Sequence, residues 1–142
     1  MAIKNYTSGV DIYTSVGEIQ RALARAGAQK IMIDYADGKP ISVTFALPGP
    51  GGQIRGFCLP ATVDGTLRVF QKQKIKPDRE QAERTAWRNV RDWVLAQVAL
   101  IESCDVPMDE VFLPYLTDRK GTTLYQAYQS GQLCLTGGTY EN

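Results

Sequence analysis

Arginine is the residue type here with the most obvious chemistry. Residues 82–95, AERTAWRNVRDWVL, hold Arg84, Arg88 and Arg91 together with Trp87 and Trp93. A guanidinium is planar and always charged. It makes two-pronged bonds to phosphate or carboxylate, and its face stacks on aromatic rings. At 100° per residue the three arginines fall within an arc of about 60°. Two readings stand side by side. The arc is either an anion site or a solvated flank pairing with Glu80, Glu83 and Asp92. A second cation and a ring follow a glycine-rich stretch, LPGPGGQIRGF, where Arg55 and Phe57 alternate and share a strand face. That pair suits an adenine-like ring and its phosphate, and it suits a sheet face packed on a helix equally well. The glycine stretch matches neither a phosphate-binding P-loop nor a dinucleotide fingerprint. It reads as a hairpin tip or as a lip whose backbone N–H groups face a ligand.

Other chemistry is missing. The chain has no histidine, which removes Ser-His-Asp and Cys-His catalysis and the usual zinc sites. Asp34, Asp37, Asp64, Asp109 and Glu110 are spread over turns and helix starts, where capping and solubility account for them. No nucleophile has an evident base. The expectation is a binding protein with no catalytic residues, no metal and no cofactor. Lysine plus arginine total 16 and aspartate plus glutamate 15, a net charge of +1. A protein that coats long nucleic acid carries a strong basic excess. A small ligand needs only two or three local arginines.

The elements that would position these groups follow from pattern. TSVGE opens a first helix, with Ser15 as cap and Glu18 completing a capping box, and Gly27 closes it. Ile31, Ile33 and Tyr35 alternate, ADGK turns, and Ile41, Val43, Phe45 and Leu47 alternate again. PGPGG makes the next turn and QIRGFCLP a third strand. Thr62 caps a short helix. Pro77 and Asp78 open a long one, with Gln81 completing a second capping box, and it runs to about Ser103. Trp87, Val90, Val94, Val98 and Ile101 lie within an arc of about 80° that faces the sheet. A helical turn near MDEVF, a break at Leu113-Pro114, a turn at DRKG and a last helix over TLYQAYQS follow, and LTGGTYEN reads as frayed. The fold class expected is α+β in one domain, residues 1–142. It holds a three-stranded antiparallel meander with the long helix on one face, in the order α-β-β-β-α-α plus small C-terminal helices.

From Trp93 to Ile101 the long helix is apolar nearly all round. A helix apolar on every side is buried on every side, and in a chain this small a second protomer is the expected cover. The three cysteines, Cys58, Cys104 and Cys134, are scattered and odd in number. They suit a reducing cytosol. No signal-peptide pattern opens the chain, and WVLAQVALI is too short to span a bilayer. The expected setting is cytoplasmic, with no membrane contact.

RTAWRNVRDWVLAQVALIE followed by DEVFLPYL, with the opening KNYTSGVDIYTSVGEIQRALARAGAQKIMIDY, resembles a widespread set of small proteins of tailed phages and prophages. The resemblance covers most of the chain and implies a phage or prophage origin. Within phage proteins the chain is similar to the anti-Thoeris sponge family, which sequesters cyclic ADP-ribose-type immune signals without cleaving them. That pocket uses an aromatic and two arginines four apart on a helix. The resemblance implies those parts for Phe57, Arg84 and Arg88, and the residue pattern adds Arg55 and Arg91 as candidate ligand residues. With the apolar Trp93–Ile101 segment, the expectation is a homo-oligomeric anti-defence protein that binds a cyclic ADP-ribose-type signal or a cyclic dinucleotide. The β-β-β-α order also resembles the Rad52-like single-strand annealing proteins, which would make single-stranded DNA the partner. A third alternative is an inhibitor that masks a host defence protein by surface contact alone.

Overall fold

In a computed structural model, residues 1–131 are described, and they form the expected α+β arrangement. The helix α1 spans Ile12–Ala26. The strands β1 (Lys30–Ala36), β2 (Lys39–Pro48) and β3 (Ile54–Pro60) form an antiparallel meander in the order β1-β2-β3. Helices α2 (Val63–Lys72) and α3 (Arg79–Cys104) follow, then the short α4 (Met108–Val111) and α5 (Leu124–Gln129). The LTGGTYEN end and Cys134 lie outside the described residues.

The β1–β2 turn forms because Asp37 and Gly38 both take positive φ, 52° and 77°. That is the two-residue geometry whose twist matches the flanking strands. Val43, Phe45 and Leu47 alternate inward on β2, and Phe57 and Leu59 meet them from β3. Ile41 breaks the expected alternation and is 44% exposed. The register slips between Asp34 and Tyr35, so Ile41 is the extra residue of a bulge with no partner on β1, while its carbonyl accepts from the Ala61 N–H at 3.0 Å. A bulge bends its strand and re-aims the side chain.

The long helix lies alongside α1, and their apolar stripes close over the sheet. Ile19 and Leu23 of α1 and Trp87, Val94 and Val98 of α3 join the sheet residues in one core. Fully burying side chains of this size stabilises by roughly 1.5–3 kcal/mol each. The apolar second half of α3 is covered within the chain in part, with Val94 and Val98 buried and Ala96 and Ala99 exposed. Trp93 packs edge-to-face on Phe112 at 5.5 Å and on Tyr115 at 5.4 Å, and Phe112 in turn meets Phe45 at 5.3 Å. Leu100 stays 50% exposed.

Two capping expectations are corrected. Asp11, not Ser15, caps α1, its carboxylate accepting from the Tyr13 N–H at 2.9 Å. Ser15 and Glu18 therefore lie inside the helix. On α3 the cap is Asp78 as expected, but it accepts from Glu80 N, and Gln81 does not close a capping box. The Gln81 amide instead donates to the carbonyls of Tyr6 and Ser8.

Candidate functional site

The polar face of α3 is occupied by the chain's own N-terminal residues. Asn89 Nδ2 donates to the Lys4 carbonyl at 3.0 Å and Thr85 Oγ1 to the Asn5 carbonyl at 2.9 Å. Arg84 Nε donates to the Ser8 carbonyl at 3.3 Å, and its Nη2 to Gln81 Oε1 at 2.6 Å. Asp92 receives Lys4 and the Asn5 amide. Residues 3–8 thus run as a strap along α3. Burial works against ionisation of Asp92, but hydrogen bonds from Lys4, Asn5 and Arg91 outweigh it and hold the carboxyl at about 2.

Arg88 and Arg91 converge on one carboxylate of α1. Glu18 Oε1 accepts from Arg88 Nη1 at 2.9 Å and from Arg91 Nε at 2.7 Å, and Arg91 Nη1 also reaches Asp92 Oδ1 at 2.9 Å. The Arg91 hydrogen bond, above all, lowers the Glu18 pKa against the cost of burial. The solvated-flank reading named Glu80, Glu83 and Asp92 as partners. Only Asp92 is one, and Glu18 takes the main part. Seventy residues separate Glu18 from Arg88, so no local pattern signals the pair.

Phe57 is 1% exposed and stacks on Phe45 with ring centroids 5.2 Å apart. It belongs to the core between sheet and helices, and a ligand ring has no access to it there. Arg55 borders a cavity of about 240 Å³ beside Leu116, Thr117 and Asp118. Arg84, Arg88 and Arg91 line none of it. Trp87 is fully buried, and its indole N–H donates to the Pro40 carbonyl at 3.4 Å. Of the five expected ligand residues, Arg88 and Arg91 are brought together, but on Glu18. Arg84 and Arg55 each border a cavity, but two separate ones, and the one at Arg84 adjoins further cations.

That cavity, about 290 Å³, lies between the start of α1, the β1–β2 turn and the first turns of α3. Tyr13, half exposed, lines it with the cations Lys39 and Arg84, the carboxylates Asp11, Glu80 and Glu83, and Pro40. Lys39, Pro40 and Glu83 also border a larger cavity of about 500 Å³. There the cations are Lys39, Arg68 and Arg79, and the first turn of α2, Val63 to Gly65, forms the floor. The Val63 N–H donates to the Ala61 carbonyl at 3.0 Å, and the Thr62 side chain makes no capping bond to the rest of that turn. The bulged Ile41 opens the hairpin end on this side.

Carboxylates balance these cations. Lys39 pairs with Glu83 at 3.2 Å and Arg79 with Asp64 at 3.0 Å. Arg79 and Asp64 are largely exposed, and such pairs hold together by about 0–1 kcal/mol. Arg68 makes no ion pair among the described residues. Sequence reasoning missed Lys39, Arg68, Arg79 and Glu83 because they come from three separate elements. Among the described residues no group of histidine, cysteine or carboxylate side chains could hold a metal ion. Among them, too, no helix is long and apolar enough to cross a membrane.

No protein-family model, no curated protein and no solved structure matches the chain.

Proposed function

We propose that this chain binds a small nucleotide-type signal and leaves it chemically intact. The site is the pair of adjoining cavities at the β1–β2 turn. One observation carries this reading. The two cavities share the wall Lys39, Pro40 and Glu83, with Arg68, Arg79 and the α2 start at one end and Tyr13 with Arg84 at the other. The first end suits phosphate, since the cations Lys39, Arg68 and Arg79 border it together with the α2 start. The second suits a ring, since an aromatic face and a guanidinium stand together. Volumes of about 500 and 290 Å³ are of the size that small-ligand sites take. The mixed charge of the lining favours a compact ligand over a phosphate polymer, in keeping with the net charge of +1. Sequestration of an immune signal in a bacterial cytoplasm is the setting that the phage resemblance supports. The chain has no histidine, and this reading assigns no general base.

The test is a thermal-shift screen with cyclic ADP-ribose, cyclic dinucleotides and linear nucleotides, followed by heat release and chromatography. A ligand at a hundredfold excess over its Kd adds about 2.7 kcal/mol to the folded state. Arg68→Ala and Arg79→Ala should each weaken the shift, and the released ligand should match the input. Absence of any shift at millimolar nucleotide refutes the reading. Recovery of a cleaved product would make the chain an enzyme. Tight oligonucleotide binding with a steep salt slope would favour the annealing alternative.

A further inference from the structure

Glu83 is the one carboxylate in this region that burial sets apart. It is 7% exposed, on the first turns of α3, and it borders both cavities. Its Oε1 accepts from Lys39 Nζ at 3.2 Å. No hydrogen bond reaches its Oε2 among the described residues. A buried carboxylate oxygen left without a donor is costly. The fold tolerates it here at the wall between a phosphate-suited end and a ring-suited end.

A carboxylate accepts hydrogen bonds and donates none, so the group that completes Glu83 must carry N–H or O–H. In a nucleotide the part lying between phosphate and base is the ribose, and its vicinal hydroxyls are two adjacent donors. Arg79 and Glu83 are four residues apart on α3 and face the same cavity. Such pairs have their Cβ atoms about 5–6 Å apart, a span on the scale of a ribose 5′-phosphate unit. We propose that Glu83 is the sugar-reading residue of the cleft, and that it selects ribonucleotides by accepting hydrogen bonds from the ribose 2′,3′-diol while Lys39 holds the carboxylate in place. This inference rests on the nucleotide reading above and narrows it to ligands with a free diol on the sugar beside the phosphate end.

The experiment is isothermal titration of the full chain with ADP and with 2′,3′-dideoxy-ADP, on the parent protein and on Glu83→Gln and Arg68→Ala. Loss of hydrogen bonds to a charged acceptor costs about 10–100-fold in affinity. The parent should therefore bind ADP that much more tightly than the dideoxy analogue. Glu83→Gln should lower ADP affinity toward the dideoxy level and leave dideoxy affinity nearly unchanged. Arg68→Ala should weaken both ligands alike. Equal binding of the two ligands by the parent, with Arg68→Ala weakening both, would overturn the Glu83 role and leave the nucleotide site standing. Failure of ADP to bind the parent at all would overturn this inference, and the wider nucleotide screen then decides the reading beneath it. The comparison of two ligands on the parent protein needs no variant, so poor folding of Glu83→Gln would not remove the test.

Discussion

Replacing Glu18 by glutamine separates a structural role for the arginine helix from a ligand-binding one. Glu18 Oε1 receives both Arg88 and Arg91, at 2.9 and 2.7 Å. The three side chains keep only 26%, 19% and 29% of their exposure. Without the charge, Arg91 still has Asp92, whereas Arg88 keeps only neutral acceptors, the new amide oxygen and Ser15 Oγ at 3.4 Å. Two limits bracket the cost. An exposed pair contributes about 0–1 kcal/mol, and breaking a fully buried one costs about 3–5 kcal/mol. Partial burial of all three groups places Glu18→Gln between them, at about 2 kcal/mol. With an m-value of about 2 kcal/mol/M, the urea midpoint should fall by about 1 M. A double-mutant cycle with Arg88→Met isolates the pair and should return a coupling of about 1–2 kcal/mol. Arg88 lines neither cavity of the cleft, so Glu18→Gln and Arg88→Met should leave nucleotide affinity unchanged while folding persists. A Glu18→Gln protein within about 0.5 kcal/mol of the parent, or an additive cycle, would refute the structural assignment. Loss of nucleotide binding in a folded Arg88→Met protein would return the site to the arginine stripe.

Acid should loosen the strap. The Asp92 carboxyl is lowered from 3.8 to about 2, so its stabilisation is present above about pH 4 and lost as pH falls toward 2. Discounted for solvent screening, the loss is about 1 kcal/mol, and amide exchange at residues 3–8 should report it. Asp92→Asn should flatten that pH dependence, and an unchanged slope would count against the strap's anchoring there. Trp93→Ala should cost about 3 kcal/mol, because it removes edge-to-face contacts to both Phe112 and Tyr115 and opens the cover of the core. A loss below about 1 kcal/mol in urea unfolding would mean that this side of α3 takes its cover from a second chain.

The elements were legible wherever a local rule governs them. Asp37-Gly38 announces the two-residue turn, Gly27 the end of α1, and Pro77-Asp78 the start of α3. Alternation marked Val43, Phe45 and Leu47 as core, and 3.6-residue spacing did the same for Trp87, Val94 and Val98. The rules failed where two local solutions compete or a distant partner decides. Asp11 and Ser15 are both good caps, and the earlier one won because the apolar stripe begins at Ile12. Gln81 fits a capping box, yet the strap's carbonyls claim its amide. Phe57 beside Arg55 read equally as ligand platform or core. Burial against Phe45 settles Phe57, and no spacing rule could have done so.

The arginine helix and the cleft are parts of one arrangement. The N-terminal half of α3 is fixed on two sides, by the strap through Gln81, Arg84, Thr85, Asn89 and Asp92 and by α1 through Glu18. Its first turns carry Arg79, Glu83 and Arg84, which border the cavities. Under the proposed nucleotide reading, this anchoring orders the side chains of the first turns before a ligand binds, so affinity is not spent on ordering them. The many cations on one helix therefore divide their work by position. Arg88 and Arg91 secure the helix on Glu18, Arg84 holds the strap while bordering one cavity, and Arg79 borders the other.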